Sequence, residues 1–384
     1  MPRLAYLVLL AAAALACKDA VNPPPAPPPP PPPPPNHAPV AVVGGPYASD
    51  SGIVSFDGSA SSDSDGDALT FAWQFGDGGT SGDVKPTHAY AAPGEFNVSL
   101  TVTDSKGLAS APSTTTARIA PPAPVIVGAG NIATCGASRD EATAALIDAL
   151  PNAQVFTLGD NVFPRSTPEN YTNCYQPAWG RFLDRTHAVL GNHEYEGDPE
   201  ATFDYFGDRA GPRDLGYYSY DVDAWHIIVL NDRGSSSIDA DQLNWLVADL
   251  AANTKQCTLA MWHVPLFLSS HTPGWNTNPE HKPIWDALYN AGADVVLNGQ
   301  QHNYERFAPM TPAGAVDTAR GIREFNVGTG GESVDNFEVI HPNSEVHSAT
   351  FGVLKLTLKS NGYDWQFIPV AGSSFTDSGS GSCH

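Results

Sequence analysis

Basic residues are scarce in this 384-residue chain: nineteen Lys and Arg face forty-one Asp and Glu, for a net charge of −22. That balance argues against a nucleic-acid binder, whose affinity rests on neutralising phosphates. A membrane-length apolar run is also missing, since the run at residues 4–16 is too short for a permanent span. No C-x-x-C pair occurs among the five cysteines, which argues against a thiolate zinc site. Nor is there a G-x-S-x-G elbow to support serine hydrolysis.

What is present begins with a targeting pattern. Arg3, the apolar residues 4–16 and the small residues before Cys17 read as an export signal over residues 1–17. Ala14-Leu15-Ala16-Cys17 resembles a lipoprotein signal, which implies a lipid anchor on Cys17 as the sole membrane contact. Ordinary cleavage after Ala16 is the other reading, giving a secreted rather than a surface-held protein. Cys135, Cys174, Cys257 and Cys383 suit two disulfides in an exported chain. Residues 18–36 are a proline-rich linker; residues 23–35, at about 3.1 Å each in polyproline II, span roughly 40 Å.

Residues 37–119 alternate short apolar runs with Gly, Ser and Asp turns and show no helical period, so they predict a small all-β sandwich. Trp73-Gln-Phe-Gly-Asp-Gly78, His88-Ala-Tyr90 and Val98-Ser-Leu-Thr-Val-Thr-Asp104 resemble the PKD domain, an immunoglobulin-like module of extracellular proteins. The resemblance implies contact with other surface proteins or polysaccharide, not catalysis. Asp63-Ser-Asp-Gly-Asp67 reads as a polar turn, with a calcium loop as the alternative.

From residue 120 to 371 strands alternate with helices, predicting a layered α/β domain of αββα type, followed by a flexible tail at 372–384. A helix is expected to start at Ser138, capped by Ser138 and Glu141. Five strands end in turns rich in polar donors. Residues 124–127 lead to Asn131, 155–158 to Asp160, 188–190 to Asn192-His193-Glu194, 258–262 to His263, and 293–297 to Gln300-Gln301-His302. Ligands of α/β proteins bind beyond the carboxyl ends of strands, so these side chains are expected to share one crevice. Oxygen and imidazole donors without thiolate suit Mn, Zn or Fe. Gly128-Ala-Gly130-Asn-Ile-Ala133 also fits a dinucleotide turn, but the next strand-end acid, Asp160, comes too late for that motif.

Taken together these motifs resemble the calcineurin-like metallophosphoesterases, in the purple-acid-phosphatase branch, with Gly191-Asn-His-Glu194 and Tyr304-Glu-Arg306 as branch signatures. The resemblance implies hydrolysis of a small phosphomonoester or phosphodiester by a metal-activated hydroxide, with one or two ions of Fe, Zn or Mn. It implies Asp160 as the bridging carboxylate, Asn192 and His263 as ligands of one metal and His302 of the other, and His193 as the catalytic imidazole. Asn131 and Gln300 stand at ligand positions with weaker donors, and Phe163 replaces a ligand tyrosine. The expectation is therefore a degraded metal site, with a non-catalytic surface binding protein on the same fold as the alternative. His187 and His226 are expected to be structural, a pocket rim is the lesser of the readings of His271, Trp275 and His281, and the disulfides are expected to pair Cys257 with Cys383 and Cys135 with Cys174.

Overall fold

A computed structural model describes residues 28–234, 238–270 and 275–384. The export segment 1–17, linker residues 18–27 and His271 lie outside the described residues. The chain divides into two units at Ala120/Pro121.

In the first unit a five-stranded sheet runs in the order Tyr47–Ser49, Ser113–Ile119, Gly94–Asp104, Leu69–Gln74, Thr80–Ser81. Ile53–Ser55 and Thr87–Ala89 form a second, two-stranded sheet. Val98, Leu100 and Val102 alternate inward along one strand and pack with Phe56, Trp73 and Phe75. His88 is structural, stacking on Phe75 at 4.2 Å between ring centroids and contacting Asp77 at 2.8 Å. In the acidic turn, Lys106 Nζ lies 2.8 Å from Asp67 and His37 Nδ1 lies 2.8 Å from Asp65, so protein groups already partner two of its carboxylates.

The second unit contains two main sheets. One has six strands in the order Thr186–His187, Gln154–Thr157, Val125–Ala129, Gly352–Lys359, Gly362–Pro369, Asp377–Ser382. The other has seven: Tyr218–Val222, Trp225–Val229, Cys257–Met261, Val295–Asn298, Arg323–Val327, Tyr304–Phe307, Ser344–Ser348. Side-chain alternation explains the unbroken apolar runs. Ile227, Leu259, Met261, Val295 and Leu297 join one core with Val127, Val155 and Leu356 of the six-stranded sheet. Ile228, Ala260 and Val296 point the other way, into a core with Leu246, Ile284, Trp285 and Leu288 from helices Ala240–Ala252 and Lys282–Ala291. Strands buried on both faces lose the polar alternation of a half-exposed sheet. Helix Ala240–Ala252 starts at Asp239, whose side chain accepts from the Gln242 N–H at 2.8 Å.

Four expectations are corrected. The run 188–190 is not strand; the strand is Thr186–His187 and ends before it. Ser138 gives no side-chain cap to helix Arg139–Asp148, and Glu141 is drawn away to Arg181 at 2.8 Å. His281 is fully buried, with Nε2 3.4 Å from Asp232, and is no pocket rim. The tail is not flexible, because Asp377–Ser382 pairs antiparallel with Gly362–Pro369. His226, by contrast, is held between Asp221 at 2.9 Å and Asp249 at 2.7 Å, and His187 stacks on Tyr220 at 3.8 Å. The disulfides are Cys135–Cys174 and Cys257–Cys383.

Asp377 anchors that last strand. Its carboxylate accepts from Arg306 Nε at 2.7 Å, the Tyr304 hydroxyl at 2.7 Å and Trp365 Nε1 at 3.1 Å. Burial pushes its pKa up, but the Arg306, Tyr304 and Trp365 donors outweigh that and hold it below the ordinary value. Asp377→Asn removes the buried one of the two carboxylates that face Arg306 and leaves only the more exposed Glu345. The expected loss is roughly 1–3 kcal/mol of unfolding free energy, read from denaturant curves; a loss near zero would contradict this role.

Candidate metal centre

Strand ends from both large sheets deliver the donors. Asn131 and Asp160 follow the adjacent parallel strands Val125–Ala129 and Gln154–Thr157. Both carry left-handed backbone, φ +55° and +51°, a conformation Asn and Asp tolerate better than other side-chain-bearing residues. Cysteine pairing and a small parallel ladder tie the turns together: Ala133–Thr134 pairs with Val162–Phe163, and Cys135 bonds to Cys174. Two glycines make room. A Cβ on Gly191 would sit 2.4 Å from Asp160 Oδ1, and one on Gly159, at φ +82°, 2.4 Å from His263 Nδ1.

Asp160 is fully buried. Its Oδ1 accepts from the His193 backbone N–H at 2.9 Å, while Oδ2 receives no hydrogen bond. His263 Nε2 lies 3.2 Å from that oxygen and 3.1 Å from Asn192 Oδ1. His263 Nδ1 donates to Leu158 O at 2.6 Å, which leaves Nε2 as the ring atom facing the site. Burial lowers the His263 pKa, but the Asp160 carboxylate outweighs it and raises the group to about 9. Asp160 is raised by burial and lowered more strongly by His263, for a net downward shift.

Glu194 fixes this loop. Its buried carboxylate accepts from the backbone N–H of Asp160 (2.9 Å), Asn161 (2.9 Å) and Gly191 (2.6 Å). Burial and the nearby Asp160 push its pKa up against the pull of those donors. His193 is 24% exposed, donates from Nδ1 to Pro164 O at 2.6 Å and holds Nε2 3.9 Å from Asp160 Oδ2. Phe163 lies between two imidazoles, 4.4 Å from His193 and 6.1 Å from His302 by ring centroids.

The remaining sequence-predicted donors differ in how they are used. Asn131 donates from Nδ2 to Gly299 O at 2.8 Å, and its Oδ1 is buried without a hydrogen bond. His302 holds Nδ1 2.6 Å from Ser333 Oγ, and burial lowers its pKa despite Glu332 and Asp335 nearby. Gln300 is tied down by its backbone N–H to His263 O at 3.0 Å, and its amide makes no hydrogen bond to the described residues. Two groups escaped sequence reasoning. Asp232 accepts from the Val264 N–H at 2.7 Å beside His263, and Glu332 lies 3.0 Å from His302 Nδ1. Both follow strands, Trp225–Val229 and Arg323–Val327, so the strand-end rule that singled out the other donors applies equally to them.

Two sheets with helices outside and a ring of Asp, Asn and His at their strand ends define a metallophosphoesterase-type α/β domain. Residues 36–119 match the PKD domain and residues 133–304 the calcineurin-like phosphoesterase family. The chain thus carries a PKD domain followed by a calcineurin-like phosphoesterase domain. Purple acid phosphatase 22 of Arabidopsis thaliana is 33% identical over 165 residues, 36% of this chain and 37% of that protein. Purple acid phosphatase 15 of the same plant is 33% identical over 38% of this chain and 30% of its own length. Collagenase ColQ1 of Bacillus cereus is 40% identical over 84 residues, 21% of this chain and 8% of that protein. The chain therefore spans about a third of the length of the phosphatases it matches. The purple acid phosphatase PPD1 of yellow lupin shares the fold, with a TM-score of 0.55 and 17% identity over 90% of this chain and 74% of that one.

Asp160→Asn keeps the acceptor for His193 N–H and the tolerance of positive φ but removes the charge. It is expected to abolish metal binding in equilibrium dialysis while the chain stays folded in chelator, as read by circular dichroism. Retained metal would contradict the assignment of the bare oxygen.

Proposed function

We propose that this chain is an exported, metal-dependent phosphoesterase, hydrolysing small phosphomonoesters or phosphodiesters through a weakened metal site. The observation that carries the proposal is the meeting of Asp160 Oδ2, Asn192 Oδ1 and His263 Nε2 around a buried oxygen that no protein donor satisfies. These donors fit one divalent ion of the Mn, Zn or Fe type. Asp160, His302 and Asn131 Oδ1 offer a second, poorer position. A bound ion supplies Lewis acidity at phosphorus and acidifies water.

The chain's own groups account for the rest. His193 turns Nε2 toward the open side of the site, because Nδ1–H is given to Pro164 O. A proton on Nε2 can bind a phosphoryl oxygen and pass to the leaving oxygen. Glu194 keeps the Asp160 turn fixed through three backbone bonds. Phe163 offers no ligand atom, and Asn131 and Gln300 bring neither charge nor imidazole, so metal affinity falls and bound water is less acidic. A non-catalytic surface binding role on the same fold draws on that apolar ring beside His193 and His302.

Two disulfides and a PKD domain like those of collagenases support an extracytoplasmic location. The PKD domain would then contact polysaccharide or other surface proteins.

Metal analysis of purified protein, followed by an aryl-phosphate assay with added Mn, Zn or Fe, tests the proposal. Expected are at least one ion per chain and slow turnover that chelator removes; less than one ion and no turnover would leave the binding-protein reading. The combined variant Asn131→Asp, Phe163→Tyr and Gln300→His is expected to tighten metal binding on the order of 10–100-fold and to speed turnover. No gain in either would mean that the site is misassigned.

A further inference from the structure

The second metal position, the one that has lost Tyr and Asp to Phe163 and Asn131, has a carboxylate close by that is not among its expected ligands. Glu332 Oε2 lies 3.0 Å from His302 Nδ1. Ser333 Oγ accepts from His302 Nδ1 at 2.6 Å and donates to Glu332 Oε2, so a carboxylate, a hydroxyl and one imidazole N–H close a small ring of hydrogen bonds. With Nδ1 carrying the proton, Nε2 of His302 keeps its lone pair.

The backbone holds this group in place before any ligand arrives. Glu332 N–H donates to Asn131 O at 3.0 Å, and Asp335 N–H donates to His302 O at 2.7 Å. Arg139 binds the opposite side of the same segment, Nε to Gly331 O at 3.1 Å and Nη2 to Glu332 O at 2.6 Å. Gly330 N–H donates to Gly130 O at 2.8 Å. Residues 330–335 are therefore bonded to both His302 and Asn131, the two donors this chain retains on that side besides Asp160.

We infer that Glu332, acting with Ser333, is a positioning residue that sets the His302 tautomer and returns to the second metal position negative charge its missing ligands no longer supply. The inference rests on the metal-dependent reading above and deepens it. A carboxylate on the far nitrogen of a ligand imidazole raises the basicity of the near one, and losing such a partner costs about 10–100-fold in metal affinity. The charge acts across the ring, so no new ligand is needed. The site then keeps two ions of unequal affinity: a tighter one at Asp160, Asn192 and His263, and a weaker one at Asp160, His302 and Asn131.

Zinc delivered to the full chain from a chromophoric chelator measures both steps. In the parent protein two equivalents are expected, with distinct affinities. Glu332→Gln should weaken only the second step, by 10–100-fold, leave the first unchanged and leave the melting temperature in chelator unchanged; Glu332→Asp should recover most of the loss. A second step identical in parent and Glu332→Gln overturns the inference. So does loss of both steps together, or a lowered melting temperature in chelator, since either marks a purely structural role. A parent protein that takes up one ion alone also overturns it while the proposed function stands. A parent that takes up none removes the proposed function itself.

Discussion

One carboxylate oxygen organises the second unit. Asp160 Oδ2 is buried, accepts no hydrogen bond and stands within 3.2 Å of an imidazole nitrogen. A lone buried carboxylate is costly unless a positive charge meets it. The surroundings hold it in place. Gly159 and Gly191 remove side chains that would collide with His263 and Asp160, Glu194 ties down the turn, and Leu158 O orients the imidazole. The left-handed backbone at Asp160 and Asn131 costs about 1–2 kcal/mol at a non-glycine residue. Such strain persists where the surrounding structure over-determines it, and each of these two residues keeps a side-chain oxygen buried without a hydrogen bond.

The fold explains why those donors meet. Asn131 and Asp160 come from the six-stranded sheet, His263 and His302 from the turns after strands of the seven-stranded sheet. A shared apolar core holds the two sheets face to face, so their carboxyl-terminal edges stay in register. Farther along, Asp377 clamps Tyr304, Arg306 and Trp365, fixing the strand that follows His302. The Tyr304-Glu305-Arg306 triplet thus works through structure. Tyr304 and Arg306 hold the last strand, and Glu305 accepts from the Ser269 N–H at 2.9 Å, steadying the segment after His263.

Much of this was legible in the residues. Runs such as Trp225–Val229 and Cys257–Met261 announce strands buried on both faces, and the polar donors stand out because each follows such a run. Asp232 and Glu332 also follow such runs, but the partners that give them a role, His281, Val264 and His302, are brought near only by the fold. The Ser138 cap failed for a similar reason: Arg181, distant in sequence, competes for Glu141. The Gly- and Ser-rich end reads as flexible because its composition is that of a linker. One buried acid, Asp377, and the Cys257–Cys383 bond turn it into a strand.

In the proposed metal centre the departures at Asn131 and Phe163 weaken the His302 side, while Gln300 costs the other side one imidazole and leaves its Asp160, Asn192 and His263 intact. The account therefore stands or falls on whether a cation occupies that intact position. Anomalous diffraction from crystals of the full chain soaked in zinc, recorded on both sides of the zinc edge, reads this directly. Expected is a peak about 2.0–2.2 Å from Asp160 Oδ2, Asn192 Oδ1 and His263 Nε2. A map with no peak there, or with zinc only at the Asp63-Ser-Asp-Gly-Asp67 turn, would contradict it.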